Sequence, residues 1–248
     1  MNFGHWYYRE YFDTINLDSK GIVTNFSTFN KGKNDKLIKG ATLPPYDKEN
    51  DIEDVTSFEL KTCYPGLLCG VGYHHEINNP KNEPKEDDAP EVYNLGMYFD
   101  YTSGLPVIPG SSIKGMLRSA IEEWDFLADY ELNNGVTREE IIEKVFVGKE
   151  YSIYDRDIFL DAIPIKADNK LFGEDYITHH PTPLQNPNPV RFLRVNPGVT
   201  YQFRFILRNN DNGLKADFKE DLFKAIICTF GLGAKTNVGY GQFVEPEK

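Results

Sequence analysis

Apolar and polar positions alternate with two different periods along the chain, and the periods mark out eight elements. In IPGSSIKGMLRSAIEEW (108–124), Ile113, Leu117, Ile121 and Trp124 recur at helical spacing, after Pro109 and Gly110 break a strand-like run. Ser111 or Ser112 is the expected N-cap of this helix. KADFKEDLFKAIICTFG (215–231) predicts a second strong helix, over 217–230, closed by Gly231. A shorter amphipathic helix is expected at TREEIIEKVF (137–146), where Thr137 and Glu140 form a capping box. Period-two runs predict strands at 57–75 (broken at Pro65-Gly66), 157–165, 199–208 and 240–245, with a further strand-like run at 94–101. VTYQFRFILR (199–208) reads as a half-buried strand. The stretches 77–91 and 176–193 carry too many breakers for regular structure.

Set in order, and leaving aside the short helix at 137–146 and the run at 94–101, these are strand, helix, strand, strand, helix, strand. The expected fold class is therefore α+β, a ferredoxin-like (RRM-like) βαββαβ core with a four-stranded antiparallel sheet and both helices on one face. Residues 1–56 are expected to form a partly extended N-terminal segment that packs on the core through Phe3, Trp6, Tyr7, Tyr8, Tyr11 and Phe12. Residues 57–248 are expected to form a single domain with insertions at about 76–93, 125–155 and 166–198.

Composition narrows the class. A chain of 248 residues with 40% hydrophobic content is long enough for a sizeable core. No apolar run reaches membrane-spanning length, and MNFGHWYYREYF lacks the layout of a secretory signal, so a cytoplasmic protein with no membrane partner is expected. Cys63, Cys69 and Cys228 are too oddly spaced for a disulfide frame or a zinc site and should pack as small apolar residues. The net charge of −11 argues by itself against nucleic acid, but its distribution reverses that inference. Acids concentrate at 46–54, 81–91 and 122–131, whereas no acid occurs from Tyr176 to Asn210, a stretch that holds Arg191, Arg194, Arg204 and Arg208. Polyanions respond to local field, so the acidic total excludes little.

Two motifs carry candidate chemistry. The first helix has Lys114 and Arg118 in its early turns and Glu122 and Glu123 late, the reverse of what its dipole prefers. An anion at the N-terminus, bonded by backbone amides, Ser hydroxyls and Lys114, would compensate. The second motif is GLGAKTNVGYGQF (231–243), in which Gly231, Gly233, Gly239 and Gly241 surround Ala234, Lys235, Thr236, Asn237 and Tyr240. Glycines allow a backbone to approach a bulky anion, and Lys235 with its polar neighbours supplies donors. The run matches neither a P-loop nor a dinucleotide fingerprint, and no cofactor or metal is expected. In a βαββαβ sheet the first helix begins beside the start of the last strand, so both motifs are expected at one sheet edge as one surface for a nucleic-acid backbone.

IPGSSIKGMLR followed by GLGAKTNVGYGQF resembles the paired signature of the RAMP proteins, the RNA-binding subunits of CRISPR effector complexes. NFGHWYYREYF, FLDAIPI (159–165) and ITHHPTPLQNPNPVRFLRVNPG (177–198) are most similar to the subunit-six branch of the Cmr (type III-B) complex. The resemblance implies a non-catalytic subunit that binds the guide RNA backbone near its 3′ end and helps to hold target RNA for antiviral defence. It implies as partners the backbone RAMP subunits and the other 3′-end capping subunit. RNA contacts are implied at Ser111, Ser112, Lys114 and Arg118 and along 231–241, and Arg191 and Arg194 are added from the acid-free stretch. The alternative is a RAMP-type endoribonuclease, for which the pairs His74-His75 and His179-His180 or Asp155, Asp157 and Asp161 are the candidates. No sequence feature supplies a nucleophile or a partnered base for it.

Overall fold

The computed structural model describes residues 1–21, 23–25, 28–29, 32–46, 54–75, 92–128, 135–149, 151–179, 188–210 and 213–247. The expected acidic loop at 81–91 and most of the one at 46–54 lie outside these residues. The chain forms two compact units: Met1–Leu43 with Leu68–Pro106 and Asn169–Asn196, and Pro44–Leu67 with Val107–Asp168 and Pro197–Lys248. The expected boundary at 56/57 is not the one the contacts draw, because the first unit gathers three separated stretches. No helix among the described residues is long and apolar enough to cross a membrane.

The first unit is built on aromatic rings. Its start is not extended, as expected, but helical: α1 (Phe3–Tyr8) is capped by the Asn2 side chain, which accepts from the His5 amide, and α2 spans Lys33–Gly40. Phe3, Trp6, Tyr7 and Tyr11 are buried, and Tyr11 donates its hydroxyl hydrogen to Asn34 at 2.8 Å. Short helices such as α1 are marginal alone and persist by burying such rings. The Pro-rich stretch also departs from expectation. β4 (Phe172–His179) and β5 (Asn188–Val195) pair as an antiparallel two-stranded sheet, from Phe172 opposite Val195 to His179 opposite Asn188. Pro189 sits opposite Thr178 in this ladder, a position a two-stranded sheet tolerates because each strand keeps a free edge. Residues 180–187 lie outside the described part.

The second unit carries a mixed helix and antiparallel-sheet architecture. β1 (Thr56–Thr62), β6 (Val199–Ile206) and β7 (Phe243–Val244) pair with β2 (Ile158–Phe159) in the order β2-β6-β1-β7, and β3 (Ile163–Ala167) also pairs with β6. The first expected strand is thus shorter than 57–75, the second divides in two with a register shift between Pro164 and Lys166, and the last shrinks to two residues. β6 is buried on both faces and not half-buried. Its polar side is covered because Tyr46 donates its hydroxyl hydrogen to Gln202 at 2.6 Å.

α3 (Gly110–Glu122) and α5 (Ala216–Phe230) lie on one sheet face. The Phe223 ring of α5 packs at a tilt 5.4 Å from Phe205 and 5.5 Å from Phe159, and Lys114 of α3 sits 5.5 Å from the centre of the Phe159 ring. α5 ends at Gly231, whose φ of 74° terminates it as the sequence leads one to expect. α4 (Arg138–Ile141) has the predicted Thr137–Glu140 capping box and then widens into a π-helical turn over Ile142–Val147. The three cysteines are free thiols.

Candidate nucleic-acid interface

α3 begins two or three residues earlier than its serines suggest. Pro109 occupies the N-cap position, and neither Ser111 nor Ser112 caps the helix with its side chain. Pro109 is suited there because the first turn needs no amide from it. The Gly110 amide donates to Oδ1 of Asp161 at 2.8 Å, so the chain itself supplies an anion at this end. A Cβ on Gly110 would stand 2.0 Å from the Phe159 carbonyl oxygen, which is why the helix can seat so closely on β2. Arg118 is exposed and pairs with Glu122 at 2.8 Å, one helical turn on, so it is not a free cation. Lys114 is half-buried, and its pKa is lowered first by desolvation and then by the like charges of Arg156 and Arg118. Arg156, which the sequence reading missed, thereby completes a cationic cluster along the start of the helix. Its guanidinium is held by the Tyr151 carbonyl at 3.2 and 3.1 Å. Gly115 faces outward with nothing within 4 Å of where its Cβ would lie.

The glycine loop has two parts with different roles. Gly231, Leu232, Tyr240 and Gly241 are buried and close the loop on itself: the Leu232 amide donates to Gly241 at 2.8 Å, and the Gly241 amide to Gly66 at 2.7 Å. A Cβ on Gly241 would stand 1.8 Å from the Leu232 carbonyl oxygen, and φ is 73° there, so this glycine is structural. Tyr240 is likewise a core ring and offers no open face. Between them the chain turns outward. Gly233, Lys235 and Asn237 are exposed, Ala234, Thr236 and Gly239 half-exposed. Lys235 adopts the left-handed conformation (φ 63°, ψ 32°) and opens a 3-10 turn over Thr236–Val238. The backbone amides of Gly233, Ala234, Lys235, Thr236 and Asn237 donate to no acceptor among the described residues. Successive free amides around a left-handed residue form a concave anion site.

These two motifs are not brought to one sheet edge. α3 starts over β2, at one edge, whereas the loop leads into β7 at the other. The end of α3 that approaches the loop is its C-terminus, where the Trp124 and Phe230 rings stand 4.8 Å apart. A helix of this length separates its ends by roughly 18 Å. The helix start and the loop are therefore two anion-attracting features on one unit, not a single surface.

Arg191 and Arg194 belong to the first unit and have partners. Arg191 is ion-paired with Glu174 and lies 5.7 Å from the Tyr176 ring centre; Arg194 bonds Asn196 at 2.8 Å and faces Asp175 at 3.5 Å. Both stabilise the β4–β5 ladder.

The candidates for general acid–base work are dispersed as well. Asp157 is buried against Lys219 at 2.6 Å, Asp161 serves the Gly110 amide, and Asp155 lies in a 3-10 turn. His75 is buried and His74 exposed; His179 ends β4, and His180 lies outside the described residues.

Comparisons with known proteins agree with this architecture. Over 157 residues the chain is 31% identical to the CRISPR system CMR subunit Cmr6 of Saccharolobus solfataricus, an alignment that covers 61% of this chain and 49% of that protein. It is 28% identical over 130 residues to the CRISPR system Cms endoribonuclease Csm3 of Enterococcus italicus, covering 48% and 61%. The chain thus spans about half the length of the first relative and under two thirds of the second. A chain in the cryo-EM structure of the Type III-B Cmr-beta bound to cognate target RNA superposes with a TM-score of 0.55 at 28% identity, over 78% of this chain and 58% of that one. The sequence profile of the RAMP superfamily matches residues 59–244, from β1 through the glycine loop to β7, and the chain belongs to that superfamily.

Proposed function

We infer that this chain is a non-catalytic RNA-binding subunit of a type III-B CRISPR (Cmr) ribonucleoprotein, which binds the guide RNA backbone near its 3′ end and helps to hold target RNA. The observation that carries the reading is the outward half of the glycine loop. Five successive amides without acceptors, with Lys235 among them, suit a phosphate and carry no means of reading a base. Lys114 and Arg156, close enough for their like charges to be felt, offer a second backbone contact. The similarity to Cmr6 supports the choice of complex. Other subunits of that complex are the expected partners. The order β7-β1-β6-β2 supports reading the second unit as a ferredoxin-like βαββαβ core.

The relative named as an endoribonuclease favours one alternative, cleavage by His179 or His180 or by an aspartate of 155–161. The engagement of Asp157 with Lys219 and of Asp161 with Gly110 speaks for the non-catalytic reading. Filter binding of guide RNA to the reconstituted complex across salt tests the proposal. Lys235→Ala should weaken association and lower the salt slope by about one phosphate contact. Unchanged affinity and slope would leave the loop as a turn only. Cleavage lost in His179→Ala with binding intact would favour the nuclease.

A further inference from the structure

The first unit contains a cavity of about 400 Å³ that plays no part in the backbone contacts above. This is within the size range of small-ligand sites, about 300–1,000 Å³. Four aromatic rings line it: Tyr8, Phe12, Tyr73 and Tyr101. Tyr73 and Tyr101 are 74% and 72% exposed, so their faces are not used by the core. Arg9 lines the cavity too, exposed and with no acidic partner among the described residues.

The remaining wall includes His75, only 4% exposed, between the rings of Tyr7 and Tyr11 at 4.2 and 4.0 Å. Its Nε2 donates to the Tyr7 carbonyl at 3.1 Å, since a carbonyl can only accept. Burial lowers its pKa to about 3, so the ring is neutral and Nδ1 is a bare acceptor. That buried Nδ1 has no hydrogen-bond partner. Unpartnered buried acceptors are rare, and Nδ1 is itself closed off from solvent, so His75 serves the cavity as a packed, uncharged part of its wall.

From these features we propose that the cavity receives one unstacked base of single-stranded RNA, stacked on Tyr73 and Tyr101 and neutralised at its phosphate by Arg9. Aromatic platforms beside a cation are how unpaired bases are held. Stacking tolerates any base, and its area favours purines. No carboxylate or carboxamide lines the cavity to bind a sugar, and no group of three metal-ligating side chains occurs among the described residues. That the base comes from RNA, and not from a free nucleotide, rests on the RNA-binding reading of the chain.

The test uses the full chain and an octaribonucleotide carrying one 2-aminopurine, whose fluorescence is quenched on stacking. The wild type should quench it. Tyr73→Ala/Tyr101→Ala, both at exposed positions, should weaken binding about tenfold and abolish the quench at saturation. Lys235→Ala should weaken binding but keep the quench at saturation, which separates the cavity from the glycine loop. An unquenched wild type, or quenching and affinity indifferent to the ring changes, overturns the cavity proposal while a Lys235 effect leaves the loop reading standing. No binding by the wild type overturns both. 2-Aminopurine riboside monophosphate that binds as tightly as the octamer would make this a free-nucleotide site and overturn RNA as the source.

Discussion

The carboxylate of Asp161 accepts a hydrogen bond from the amide of Gly110 at 2.8 Å, across 51 residues of sequence, and so places an acid on the first turn of α3. It acts as an N-cap side chain would, from another element. Asp161→Ala should therefore lower stability by about 1 kcal/mol, as loss of a cap does. For a chain of this size that is a fall in Tm of roughly 2–4 °C, readable by thermal melting. An unchanged Tm would mean that α3 holds its start by packing on β2 alone.

How much of this was legible follows from the distance over which each feature is determined. The Gly231 stop of α5, the Thr137–Glu140 capping box and the turn at Lys235 are set within a few residues, and the sequence shows them. The β4–β5 ladder is hidden because prolines weigh against strands in general, while a two-stranded ladder accepts Pro189. α1 was hidden because its helix depends on rings that pack from elsewhere in the unit. At the candidate site the cations were visible and their partners were not. Nothing local pairs Arg191 with Glu174 across a ladder, or tells which end of α3 meets the glycine loop.

Lys235 and Gly241 should separate folding from binding. Lys235 holds a left-handed backbone that costs a non-glycine residue about 1 kcal/mol. Lys235→Gly should keep or slightly raise the Tm while weakening RNA association. Gly241→Ala should do the reverse, because its Cβ would stand 1.8 Å from the Leu232 carbonyl oxygen. Its melt should shift down strongly before any binding loss is seen. Equal stability losses in both variants would contradict this division of the loop.

His75 should give the protein an acid-sensitive step. Its folded pKa is depressed to about 3 against an ordinary 6.5, so below 6.5 the unfolded chain binds a proton that the folded chain refuses. The stabilisation is complete above about pH 6.5 and is lost as pH falls towards 3, at up to about 1.4 kcal/mol per pH unit. Urea melts at several pH values should show that slope in the wild type. His75→Phe, which keeps a ring among Tyr7 and Tyr11, should flatten it. An identical slope in the variant would assign the acid limb to other groups.

Asp157 and Lys219 form a buried ion pair at 2.6 Å, and Lys219 also donates to the Arg208 carbonyl and the Asn210 side chain. Asp157 in turn accepts from the Arg208 amide at 2.7 Å. Desolvation lowers the Lys219 pKa while Asp157 opposes it. Removing one partner leaves a buried charge, so Asp157→Ala should cost about 3–5 kcal/mol. Asp157→Leu/Lys219→Met should recover part of that loss in a double-mutant cycle of chemical melts. Additive losses would mean the two side chains act through separate contacts.

Gly115 stands inside α3, exposed, with open space where a side chain would go. Glycine there costs a helix roughly 0.8–1 kcal/mol against alanine, and no packing need offsets the cost. An approaching RNA backbone supplies a reason, since the exposed Arg118 lies one turn on from the bare position and Lys114 adjoins it in sequence. Gly115→Ala should raise the Tm of the free chain, and Gly115→Glu should leave folding intact while repelling phosphate. Filter binding to guide RNA should therefore fall for the glutamate variant, several-fold and more steeply at low salt, where screening is weakest. If Gly115→Glu binds as the wild type does across the salt range, the α3 face is not an RNA contact and only the glycine loop remains as the backbone site.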